Sequence, residues 1–131
     1  MSPVDVERTV TFPHGLPGFE DSRHFVLVTA AAFTPFTLLQ GNGEAAPSFV
    51  GIDPRIVDPA YQADLDQADL ARLAAEPGQT LLWLALVTAG RDGQATVNLR
   101  APIVINPASM QGLQVLPPES PYRLDHPLPG I

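Results

Sequence analysis

Two residue types are missing from this chain altogether. There is no cysteine, which excludes disulfides, thiolate metal sites and cysteine nucleophiles and fits a reducing compartment. There is no lysine either, all seven basic residues being arginine, so Schiff-base lysines and the phosphate-gripping lysine of the P-loop are excluded. Long apolar runs are also absent. The longest, residues 81–87, has the length of a buried strand, against the roughly 18 residues that a membrane span requires. The opening Met1-Ser2-Pro3-Val4-Asp5-Val6-Glu7 has no basic region followed by an apolar stretch, so no signal peptide is read there. A cytoplasmic protein without membrane contact is the expectation.

Positive charge is in short supply. The net charge is −7, and such a surface repels a phosphate backbone, whose neutralisation supplies most non-specific affinity for nucleic acid. No direct binding of DNA or RNA is expected. A basic protein, by contrast, is steered toward an acidic surface.

Recognisable catalytic patterns are missing too. His14, His24 and His126 are scattered, with no pair at the i, i+4 spacing of a helical metal site. The five serines include no Gly-x-Ser-x-Gly elbow. Gly15-Leu16-Pro17-Gly18 lacks the spacing of a phosphate loop. Asp53-Pro54 and Asp58-Pro59 read as turn starters, an aspartate side chain before proline bonding nearby backbone. The expectation is no enzyme, no metal and no cofactor. A small hydrolase without a motif, marked by a strongly shifted titratable group in a cleft, stands as one alternative. A small-ligand-binding barrel with an apolar internal cavity is the other.

What is present is a chain of 131 residues, 45% hydrophobic and 16% charged. That composition suits one folded domain over residues 1–131, expected to be monomeric. Fifteen prolines and ten glycines punctuate short apolar segments, the rhythm of an antiparallel β domain. Residues 4–12 alternate, with Val4, Val6, Val10 and Phe12 on one face, interrupted by Arg8. Leu16-Pro17-Gly18-Phe19 suits a type II turn. Residues 25–28, 36–39 and 49–52 read as strands, and Tyr61, Ala63 and Leu65 as a short edge strand. Asp66 caps a predicted helix of two to three turns with an apolar stripe at Leu70, Leu73 and Ala74, stopped by Glu76-Pro77-Gly78. Residues 80–89, apolar on both faces and holding Trp83 in the core, predict a central strand. Gly90-Arg91-Asp92-Gly93 turns it back into residues 94–99. Residues 103–105, 113–116 and 122–124 complete the strands. The fold class predicted is mainly β: a small antiparallel β-barrel-like domain with one short helix.

Three features single out surface candidates. Asn98 sits in a strand, where asparagine is disfavoured, so it has a specific hydrogen-bonding task, structural or functional. Pro102 lacks the N–H a ladder needs, so the chain must bulge, bend or lie at an edge there. That brings Ile103 and Val104 toward a rim, as a local plug or as a partner's anchor. Residues 58–76 hold Asp58, Asp64, Asp66, Asp69 and Glu76 against Arg72 alone. This is either a solvated helix start or a steering surface for a basic partner, with Asp58 and Asp64 lying outside the helix.

Four stretches together resemble one known family. Phe12-Pro13-His14-Gly15-Leu16-Pro17-Gly18-Phe19-Glu20, Pro35-Phe36-Thr37-Leu38-Leu39-Gln40, Phe49-Val50-Gly51-Ile52-Asp53-Pro54 and Asn98-Leu99-Arg100-Ala101-Pro102-Ile103-Val104-Ile105-Asn106 are similar, in that order, to the blocks of the flagellar assembly factor FliW. Gly112-Leu113-Gln114-Val115, Tyr122 and His126-Pro127-Leu128 follow. Arg100 stands where lysine is common, and the chain is shorter at its C-terminus than some relatives. The resemblance implies a cytoplasmic protein without chemistry that binds flagellin and the RNA-binding carbon storage regulator CsrA. By sequestering CsrA away from flagellin messenger RNA, it would tie flagellin synthesis to filament demand. A flagellin binder must offer an apolar groove to an amphipathic helix, and Leu16, Phe19, Ile103, Val104 and Tyr122 are the candidates for it.

Overall fold

The computed structural model of the chain describes residues 6–43, 46–90 and 92–128, so Val4 lies outside it. Eight strands run in chain order: β1 Val6–Thr11, β2 His24–Thr29, β3 Phe36–Gly41, β4 Ser48–Ile52, β5 Leu82–Ala89, β6 Ala95–Asn106, β7 Gln111–Gln114 and β8 His126–Pro127. Two α-helices, α1 Pro54–Val57 and α2 Gln67–Arg72, and a 3-10 turn at Ala31–Phe33 complete the elements. The sheet order β5-β4-β3-β2-β1-β7-β6 closes when β6 pairs back onto β5, and β8 lies on the outside against β6. The predicted β-barrel is therefore present, closed by seven strands.

One seam departs from the antiparallel expectation. β1 and β7 run parallel and meet at a single pair, Thr11 and Gln111, where the Thr11 N–H donates to the Met110 carbonyl at 2.9 Å. With so little ladder, side chains close the seam. A Cβ on Gly112 would stand 2.6 Å from the Phe12 ring, so glycine is what lets that ring lie flat against β7. The ring meets Phe25 edge-on at 5.4 Å and is wholly buried.

Alternation sorts the strands' side chains into an inside and an outside. Val10, Phe12, Leu16, Phe25, Leu27, Leu39, Leu84, Ile103 and Ile105 fill the barrel. Each fully buried side chain of this size contributes about 1.5–3 kcal/mol. Outside, Ile52, Tyr61, Ala85, Val97 and Leu99 form a second cluster, and Leu73, Val104 and Val115 a third under α2.

The bulge predicted from Pro102 is real and has a structural consequence. Residues 95–106 form one strand where two were predicted. Between the pairs Leu84–Ile103 and Leu86–Asn98, β5 has one residue, Ala85, where β6 has four, 99–102. Three extra residues, an odd number, flip the faces: Val97 and Leu99 point to the outer cluster, Ile103 and Ile105 into the barrel. Every N–H in the bulge finds a partner. Arg100 and Ala101 donate to Asn98 Oδ1 at 3.1 and 2.9 Å, and Leu99 donates to the Arg123 carbonyl at 3.0 Å. Of the two tasks open to Asn98, the structural one is what the geometry gives it.

Three element predictions need correction. The Leu16-Pro17-Gly18-Phe19 turn forms as expected, with Gly18 at φ +85. Residues 61–66, however, form no strand and follow a turn at 59–60. Tyr61, Ala63 and Leu65 do alternate in burial with exposed Gln62, Asp64 and Asp66, but the segment is held by side chains. Residues 122–124 are likewise irregular, and the last strand is β8. Finally, α2 has the predicted Asp66 cap, which Asp69 completes as a capping box, yet is six residues long. The Ala74 N–H bonds the Ala71 carbonyl, the Ala75 N–H reaches Leu70, and Ala74 sits at φ +52, the Schellman stop normally made by glycine. Ala74 is therefore exposed, not part of an apolar stripe. The missed helix, α1, begins at the Asp53-Pro54 turn: Asp53 caps it by accepting from the Arg55 N–H at 2.9 Å, and proline suits the first helical position.

Candidate functional site

The predicted apolar surface does not exist as one surface. Ile103 and Val104 are both 0% exposed, Ile103 inside the barrel and Val104 beneath Leu73. The bulge does not carry them to a rim, because β7 and β5 flank the strand there on both sides. Leu16 is buried at 2%. Phe19 is exposed at 43% and packs edge-on against Phe49 at 5.6 Å, at the end of an aromatic run through Phe25 and Phe12. Tyr122 lies elsewhere, half-buried over the outer cluster.

Tyr122 belongs instead to a clasp. Its ring meets Tyr61 at 4.4 Å, tilted by 34°, and its hydroxyl accepts from the Gln62 N–H at 2.8 Å. The Tyr61 hydroxyl donates to the Leu99 carbonyl in the bulge at 2.9 Å. Burial first, and Tyr122 beside it second, push Tyr61 up from 10.0 to about 12. A pKa raised by folding means that the native state holds the proton more tightly. The Tyr61 contribution is therefore fully present below pH 10.0 and lost as pH rises toward about 12. With no lysine in the chain, no side-chain ammonium loses its proton in this window. Melting curves across it are expected to show an alkaline fall in wild type that Tyr61→Phe flattens.

The open apolar surface lies on the outside of the barrel. Val28, Leu38 and Val50 are direct cross-strand neighbours on β2, β3 and β4, and Val87 on β5 continues the row. Val87 is covered by the outer cluster, whereas Val50 is 39% exposed. Phe33, in the 3-10 turn, is exposed beside it. Phe33, Phe36, Leu38 and Val50 line a groove of about 410 Å³ with no charged residue in its lining. Parity hid this row in the sequence: Leu38 and Leu39 are adjacent apolar residues, and only the register tells which one faces out.

The acidic segment is a ridge between three further concavities. Asp64 borders all three, of about 380, 470 and 320 Å³. Among the described residues Asp64 makes no ion pair or hydrogen bond. Asp58 is half-buried, its carboxylate accepting from the Ala60 N–H at 2.9 Å. Asp66 and Asp69 cap α2, and burial, the largest cause, raises Asp69 above the usual carboxylate range. Among the described residues, no three His, Asp or Glu side chains are grouped to hold a metal ion.

The sequence matches the model of the family described as FliW protein over residues 2–128. It is 35% identical over 127 residues to the flagellar assembly factor FliW of Natranaerobius thermophilus, covering 95% of this chain and 84% of that one. The FliW of Thermotoga maritima is 32% identical, with 94% and 84% covered. A crystal structure of the flagellar assembly factor FliW superposes with a TM-score of 0.82 at 36% identity, over 92% of this chain and 84% of that chain.

Proposed function

The chain belongs to the FliW family of flagellar assembly factors, and we propose that it acts as a non-catalytic cytoplasmic binding protein. It holds flagellin before export and antagonises CsrA, so that flagellin synthesis follows filament assembly. The observation that carries the flagellin half is the uncharged row at Phe33, Leu38 and Val50. An amphipathic helix lays its apolar face into such a groove, and this groove replaces a candidate surface of which Leu16, Ile103 and Val104 are buried. Val50→Arg is expected to weaken flagellin binding by about 2 kcal/mol or more, as loss of a central anchor does. Titration calorimetry measures this, beside a melting curve that should not move.

The acidic ridge serves the regulator half. Asp58 and Asp64 lie outside α2, so removing their charge leaves its cap intact. Neutralising both to asparagine is expected to slow association with CsrA and to flatten its salt dependence, because steering acts on the encounter rate and is screened by salt. Association as fast and as salt-dependent as wild type by stopped flow would remove the steering role. RNA is held by the regulator and not by this chain, whose net charge is −7.

A further inference from the structure

One concavity beside the ridge has a chemistry the steering role does not use. It is lined by Trp83, Tyr61, Asp64, Pro54 and Arg55, with a volume of about 380 Å³. Trp83 was expected in the core, but β5 turns it to the outer face. There it packs against Leu73 and Val104 and also borders this hollow. Among the described residues, no aromatic ring stacks on it and its indole N–H has no hydrogen-bond partner. The carboxylate of Asp64 is unpaired as well. Among the described residues the one cation in the lining, Arg55, is engaged by Asp53, its Nε 3.3 Å and its second terminal nitrogen 3.4 Å from that carboxylate. Its charge is thus answered locally, and Asp64 is left as the uncompensated charge of the pocket.

An indole and a free carboxylate lining one hollow suit a planar cation. A guanidinium stacks on indole by cation–π attraction, for which Trp is the best side chain. It also offers a carboxylate two parallel N–H donors, which a lysine ammonium does not. We propose that Trp83 and Asp64 form a receptor for one arginine side chain of a basic protein partner. This rests on the reading that the acidic ridge meets such a partner. It adds where that partner is gripped, once steering has delivered it.

Trp83 is the single tryptophan of the chain, so its fluorescence reports occupancy of the pocket directly. The probe is a short peptide carrying two arginines spaced by glycine, titrated against versions in which both are lysine or both are citrulline. A saturable change in emission is expected with the arginine peptide, a weaker one with lysine, and none with citrulline, which keeps the plane and loses the charge. By calorimetry, Asp64→Asn and Trp83→Leu should each lower the peptide's affinity about tenfold. Asp64 is exposed without partners, so Asp64→Asn should melt as wild type does and keeps the test valid if Trp83→Leu destabilises the fold. Equal responses to all three peptides, no saturable response to arginine, or an unchanged affinity in Asp64→Asn overturns the proposal. Should CsrA bind the chain while Trp83 emission stays still, the proposed function stands and this pocket falls.

Discussion

Ile103→Arg is expected to abolish the cooperative unfolding transition. Ile103 is 0% exposed, paired to Leu84 on one side and Gln114 on the other, among eight other buried apolar side chains. A guanidinium there has no carboxylate to meet and no route to water. Leaving a charge unpaired inside a protein costs several kcal/mol even after relaxation, and overpacking adds about 1–3 kcal/mol. Against a total stability of about 5–15 kcal/mol for a domain, little would remain. Ile103→Ala is the graded version, with an expected loss of about 2–5 kcal/mol. Circular dichroism during thermal and urea unfolding measures both. Val50→Arg, the same change on the outside of the same barrel, should melt like wild type. A folded Ile103→Arg that only lost flagellin binding would restore the rim position that the sequence suggested.

Asn106→Leu should be nearly as damaging, though it keeps the branching and the number of heavy atoms. Asn106 is 1% exposed and sits where β6 ends. Its Nδ2 donates to the Leu73 and Ala74 carbonyls at 2.9 and 3.1 Å, the orphan acceptors that end α2. Its Oδ1 accepts from Gln79 Nε2 at 2.6 Å and from the Ala108 N–H at 2.9 Å. One side chain thus ties the helix C-terminus, the 76–79 turn and the β6–β7 turn together. Leucine occupies the space, keeps water out and leaves those groups unanswered; only Leu73 retains a donor, Ser109 Oγ at 2.9 Å. The groups left behind are part-buried and a buried unsatisfied group costs about 1–3 kcal/mol, so a loss of about 2–3 kcal/mol is expected. The denaturant midpoint should fall with an unchanged slope. A loss under about 1 kcal/mol would mean that α2 is held by Leu73 packing alone.

What the sequence made legible was local chemistry. Asp66 announces a helix cap, Pro17-Gly18 a turn, and Pro102 a break in a ladder, because each residue acts through its own backbone or the next few residues. What stayed hidden depends on partners distant in the chain. The length of α2 was misjudged because Asn106 and Ser109, more than thirty residues on, capture its last carbonyls. Ile103 and Val104 were read as a rim pair because the proline break was seen but its size was not. An even number of extra residues would have kept Val97 and Ile103 on one face. Three extra residues send Val97 outside and Ile103 into the barrel. The groove at Val50 was invisible for a related reason, since adjacent apolar residues on β3 give no sign of which faces inward until the barrel closes. Phe33 lies in a turn with no periodicity at all.

Two partners on one small barrel is the claim on which the proposed function stands. It is tested most directly by size-exclusion chromatography of the purified chain with flagellin, with CsrA, and with both together. The chain is expected to co-elute with either protein alone. With both present it should travel with flagellin and leave CsrA at its free position. A chain that elutes by itself in all three runs would contradict it.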